Sequence, residues 1–156
     1  MAGASVFTSA QRALLRAVLN RIIPAEGNLP GAGAVGVDET IERATLTSAV
    51  LRRTLLDGLA AIEGTAWRTG GNDFITLPEL SQDETLRQVE RAQASFFGQL
   101  VVLAYRGYYL QPRIVQLVGM ETRPPQPAGF ALPTFDARLL DKVKARGPIY
   151  RPTEGP

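Results

Sequence analysis

The chain contains no cysteine and no histidine. Without a thiolate or an imidazole it lacks the usual ligands of zinc, haem and iron–sulfur centres, and Ser-His-Asp and Cys-His catalysis are closed to it. Disulfides are impossible, so cysteine usage says nothing about redox compartment. Lysine is scarce too, with only Lys142 and Lys144 present. Any chemistry would fall to Asp, Glu, Tyr, those two lysines or the backbone. No apolar run approaches the roughly 18 residues that a membrane-crossing helix needs, so no direct membrane insertion is expected. Arg12 and Arg16 interrupt the apolar stretch near the N-terminus, which is not the layout of a secretory signal.

What is present reads as ordinary globular material. The 156 residues suffice to bury a real core. Seventeen basic residues nearly balance fifteen acidic ones, for a net charge of +2. The arginines are interspersed with carboxylates, as in DETLRQVER at 83–91, which describes solvated helix faces and not a basic stripe for nucleic acid.

Helical periodicity dominates. Thr8 and Gln11 form a T-x-x-Q capping box, followed at helical spacing by Leu14, Leu15, Val18, Leu19 and Ile22, and Pro24 stops the helix at about Ile23. Val37, Ile41 and Ala44 predict a short second helix. Val50, Leu51, Leu55, Leu59 and Ile62 predict a longer third one, ending near Trp67 before TGGN at 69–72, with Trp67 as a core anchor. Ser81 and Glu84 make a second capping box, so a helix is expected from about Gln82, continuing with a kink through 94–107. Apolar residues cover most of that segment's circumference, which marks a central helix of a bundle. Pro112 opens a further short helix closed by Gly119. Seven of the eleven prolines lie between Glu121 and Pro156, where a short amphipathic helix at 136–146 is plausible. The fold class is all-α: a bundle of about five or six helices over 1–120, then a long Pro-rich irregular C-terminal arm over 121–156, packed on the bundle or on a partner.

Three constellations could carry chemistry. Gly31-x-Gly33-x-x-Gly36 spells a dinucleotide-binding loop, but it follows a helix and a Pro24–Pro30 loop where that motif requires a strand, so it reads as a glycine-rich turn into a short helix. The carboxylate pairs Asp38/Glu39 and Asp83/Glu84 sit at expected helix starts, where negative charge suits the helix dipole, and Asp57 and Glu63 fall on different faces. The aromatic run YRGYY at 105–109 suits a protein–protein surface better than base stacking, because no basic groove accompanies it. No catalytic, cofactor-binding or metal-binding residue is therefore assigned. The candidate partner interface comprises Phe96, Phe97, Tyr105, Tyr108, Tyr109, Pro112, Phe130, Phe135, Leu139 and Tyr150.

Four stretches carry a family resemblance: FTSAQRALLRAVLNRIIPAE at 7–26, LPGAGAVGV at 29–37, LDGLAAIE at 56–63 with DFITLPELSQDE at 73–84, and FFGQLVVLAYRGYYLQP at 96–112. In their order and spacing they resemble the gluconate 2-dehydrogenase subunit 3 family, the small (gamma) subunits of FAD-dependent sugar and alcohol dehydrogenases. The resemblance implies a non-catalytic helical subunit bound to a large flavoprotein of the glucose–methanol–choline type, which would carry the FAD, and a role in that partner's folding, stability or maturation. The alternative is a stand-alone, self-associating helical module. Many family members begin with a twin-arginine export signal. Here the only Arg-Arg, Arg52-Arg53, lies inside an expected helix, so a cytoplasmic location is expected, with a periplasmic one as the alternative.

Overall fold

The computed structural model describes residues 5–120 and 134–147. The chain divides into two compact units, Met1–Thr122 and Arg123–Pro156. Among the described residues the regular structure is helical, with only an isolated bridge between Glu26 and Leu29.

Helix α1 (Ser9–Ile22) starts on the expected capping box: Thr8 Oγ1 accepts from the Gln11 N–H at 3.2 Å, and the Gln11 side chain accepts from the Thr8 N–H at 3.0 Å. Leu14, Leu15, Val18 and Leu19 are its buried stripe. The chain then loops back over α1 through a 3-10 turn (Ala32–Ala34), and Gly36, at φ 78°, turns it into α2 (Val37–Thr47). Helix α3 (Ala49–Gly70) is capped by Ser48, whose Oγ accepts from the Leu51 N–H at 3.2 Å, and it ends at Gly71 with φ 68°. Leu55, Leu59, Ile62 and Ala66 form its inward face.

Two members expected on that face point elsewhere: Val50 is 79% exposed and Trp67 53%. At 100° per residue both lie roughly a third of a turn or more from the centre of the buried stripe. The buried aromatic that follows α3 is instead Phe74, delivered by a 3-10 turn (Phe74–Thr76), and Trp67 donates its indole N–H to Asp73 Oδ1 at 3.0 Å.

Helix α4 (Glu79–Ala92) begins earlier than the second capping box predicts. Pro78 occupies the cap, and Gln82, buried, donates its side-chain amide to the Phe74 carbonyl at 3.0 Å, tying the helix start to the preceding turn. Ser81 thereby falls inside the helix, where its carbonyl accepts from Thr85 Oγ1. The single kinked helix expected across 82–107 is two helices, because Gln93 (φ −137°, ψ 53°) leaves helical geometry between α4 and α5 (Ala94–Tyr109). Helix α6 (Pro112–Leu117) has proline at its first turn, and Gly119 follows at φ 77°, as expected.

Within this unit α5 packs against α2, α3 and α4. Its inward side is Phe96, Leu100, Ala104, Gly107 and Tyr108, all buried. Two glycines make that approach possible: a Cβ on Gly58 would overlap the Phe96 ring, and one on Gly107 would stand 2.8 Å from Val37 Cγ1.

In the second unit the expected helix at 136–146 is shorter: a 3-10 turn (Ala137–Leu140), capped by Asp136 at the Arg138 N–H, runs into α7 (Asp141–Lys144). Among the described residues no helix is long and apolar enough to cross a membrane.

Glycines 58 and 64 make opposite predictions. Gly58→Ala adds a methyl against a buried, immobile ring and should cost about 1–3 kcal/mol, less whatever alanine gains in helix propensity. A Cβ at Gly64 meets nothing closer than the Arg68 guanidinium at 3.4 Å, so Gly64→Ala should gain up to about 1 kcal/mol. Urea unfolding of the two variants beside the wild type checks both signs.

Candidate functional site

Every cluster of charge or glycine in the first unit was a possible seat of chemistry, and most are spent on structure. Arg16 Nε donates to Asp38 Oδ2 at 2.8 Å, and Arg12 Nη1 lies 3.5 Å from the same oxygen. Asp38 is fully buried, and its Oδ1 has no hydrogen-bond partner among the described residues. Next to it, Glu42 Oε1 accepts from the Val6 N–H (2.7 Å), Ser5 Oγ (3.0 Å) and the Phe7 N–H (3.2 Å), while Arg12 binds its Oε2. Burial would raise the Glu42 carboxyl, but the bonds from Phe7, Arg12, Ser5 and Val6 outweigh it and hold it down at about 2. Asp38 therefore does more than face a helix dipole: with Glu42 it locks α2 to α1 and to the segment ahead of α1.

Asp83 is similarly committed. Arg21 grips it through Nε at 2.8 Å and Nη2 at 2.9 Å and reaches Glu79 at 2.9 Å. The Arg21 bond holds the Asp83 carboxyl below the usual range. Glu84 faces Arg87 and Arg91 across the exposed side of α4.

The Gly31–Gly36 loop has its backbone donors turned inward. The Gly33 N–H donates to Asn20 Oδ1 at 2.8 Å, the Ala32 N–H to the Ile23 carbonyl at 3.0 Å and the Ala34 N–H to the Gly31 carbonyl at 3.0 Å. A Cβ on Gly33 would collide with the Arg16 carbonyl, so close packing on α1 explains the glycine. The helix that follows opens with Asp38 and Glu39, which repel a phosphate.

One carboxyl pair went unnoticed in the sequence. Asp57 is exposed and faces Arg53 at 3.7 Å. Glu63 instead stands beside Asp73, and its carboxyl is raised, first by burial and then by that neighbouring carboxyl. The two border a cleft of about 360 Å³ walled by Leu14, Leu59 and Ile75. Asp73 stands in the turn after α3, so no helical spacing signals the pairing. Among the described residues no three His, Cys, Asp or Glu side chains converge as a metal site would need.

A further feature with no structural use is the outward side of α5. Residues 92–120 contain no Asp or Glu, and their only charges are Arg106 and Arg113. Gly98, Val102, Tyr105 and Tyr109 are exposed along one side of the helix, with Val102 at 65%. Tyr109 stacks on Tyr105 (centroids 6.3 Å, planes 19° apart) and meets Tyr108 edge-on at 5.3 Å. Beside them a groove of about 310 Å³ is lined by Leu51, Gly98, Gln99, Val102 and Leu103.

The expected interface residues separate on this geometry. Tyr105, Tyr109 and Pro112 are exposed and Phe97 is half-buried. Phe96 and Tyr108 are core residues, 4% and 2% exposed, and the Tyr108 hydroxyl donates to the Pro30 carbonyl at 2.8 Å. Burial pushes that phenol up, so it stays a donor. Both are withdrawn from any contact surface of the folded unit, because the inward side of α5 must fill the bundle. Phe135 and Leu139 are exposed in the second unit, and Phe130 and Tyr150 lie outside the described residues.

Helices packed around α5, ion pairs consumed in holding them, and one helix face left without a carboxylate describe an all-α unit with an apolar stretch of exposed surface. The chain belongs to the gluconate 2-dehydrogenase subunit 3 family, whose model matches residues 9–121. No curated protein and no solved structure matches it.

The Glu42 lock has a pH signature. Its carboxyl is held at about 2 against an ordinary 4.5, so its stabilisation is complete above pH 4.5 and is lost as pH falls towards 2. Glu42→Gln should cost on the order of 2–3 kcal/mol at neutral pH, and the gap to wild type should close across that acid window. Denaturant midpoints of both proteins measured from pH 7 to pH 2.5 test this, and a constant gap would refute the assignment.

Proposed function

We propose that this chain is a non-catalytic small subunit of a heteromeric FAD-dependent sugar or alcohol dehydrogenase, and that it supports folding, stability or maturation of a large flavoprotein of the glucose–methanol–choline type. The flavin and the hydride chemistry belong to that partner. Membership of a family described as a dehydrogenase subunit supports the reading, and the observation that carries it is the carboxylate-free outward side of α5. A solvated helix in a free-standing domain is normally patterned with both signs of charge. This one exposes valine, glycine and tyrosine, the composition of a contact surface.

Affinity purification of the tagged chain from its own host, followed by size exclusion monitored for protein and for flavin absorbance, tests the reading. The expected result is a yellow peak containing a second polypeptide of flavoprotein size. Expression of that flavoprotein without the small chain should then lower its soluble, flavin-loaded yield severalfold. A colourless peak of this chain alone would refute the proposal.

A further inference from the structure

We infer that the larger subunit docks along the outward side of α5, and that it presents there an apolar segment bearing a carboxylate that pairs with Arg106. The inference rests on the subunit reading above and adds where the contact is made and by what chemistry.

The shape of the surface comes first. The groove between α5 and the start of α3 has apolar walls in Leu51, Val102 and Leu103, with the Gln99 amide at its edge. At Gly98 a Cβ would meet nothing within 4 Å, so an incoming backbone can approach the helix there. The groove continues past Leu103 to a second depression of about 200 Å³ between α2 and α5, which Ile41, Ala44, Arg106 and Leu110 help to line. The two together offer an extended apolar track with one cation beside it.

The charges select the occupant. Arg106 has no carboxylate partner among the described residues; Arg43, Arg52, Arg68, Arg113 and Arg146 also lack one, but Arg106 is the cation that lines the track. A second copy using the same side of α5 would present Arg106 and Arg113 again, and residues 92–120 of either copy hold no carboxylate to meet them. Two cations are also far too few to hold a phosphate backbone. A partner that is apolar in the groove and acidic at Arg106 satisfies both features.

Val102 and Arg106 are exposed, so substitutions there leave the core untouched. Val102→Asp places a charge in the groove, Arg106→Glu reverses the pairing charge, Arg106→Lys retains it, and Arg53→Glu on the exposed side of α3 is the control. Each tagged variant is used to capture the flavoprotein from its host, with circular dichroism melting as the check on folding. Val102→Asp and Arg106→Glu should weaken capture at least about tenfold without lowering the melting temperature, while Arg106→Lys and Arg53→Glu should capture like wild type. If wild type captures a flavoprotein and the first two variants capture it equally well, the docking face is wrong although the subunit reading stands. If wild type captures none, the subunit reading fails and the docking inference falls with it. A wild-type homodimer that Arg106→Glu dissociates would overturn the inference in favour of a second copy.

Discussion

The ion pairs between α1 and α2 are the constraint on which the rest of the unit depends. Asp38 is completely buried, and a buried carboxylate without cations would cost several kcal/mol, so α2 can lie only where Arg12 and Arg16 reach it. Glu42, one turn further along the same helix, takes the second grip on Arg12 and binds the backbone ahead of α1. Once α2 is fixed, Val37 at its start sets how near α5 can come. Glycine at 107 lets α5 close onto it, and the Tyr108 hydroxyl then reaches the Pro30 carbonyl in the loop between α1 and α2.

That sequence of contacts decides which side of α5 faces inward. The helix is apolar around most of its circumference, so its own pattern is consistent with several rotations about its axis. Gly58 receiving the Phe96 ring, together with Gly107 receiving Val37, selects one of them. The remaining side, with Val102, Tyr105 and Tyr109, is left facing out by geometry and not by its own polarity. A surface produced this way fits the proposed contact with a second protein. The subunit assignment and the packing of the core thus share a cause.

Much of this was legible in the sequence where the controlling physics is local. The capping box at Thr8 and Gln11, the stop at Pro24, the glycine turn at 31–36 and the short helix opened by Pro112 follow from side chains and backbone groups a few residues apart. Ser81 and Glu84 show the limit of such reasoning: they spell a capping box, but Gln82 finds a better partner in the Phe74 carbonyl and the helix begins at Glu79. Trp67 fails as a core anchor for a related reason. Phe74, in a turn with no periodicity, fills the core, while the exposed indole binds Asp73. Of the expected contact residues in α5, Tyr105 and Tyr109 stay outside, and Phe96 and Tyr108 are taken by the bundle.

By itself the sequence determined the all-helical class, the turn character of the glycine loop, the lack of thiolate and imidazole chemistry, and the family resemblance. All of these rest on composition or on groups close together in the chain. Only the tertiary structure decided that Asp38 and Glu42 are locks, that Glu63 stands beside Asp73, and which side of α5 is left uncovered. Each of those depends on groups brought together from separate elements, and in a helix apolar nearly all round, periodicity cannot say which side the neighbours will choose.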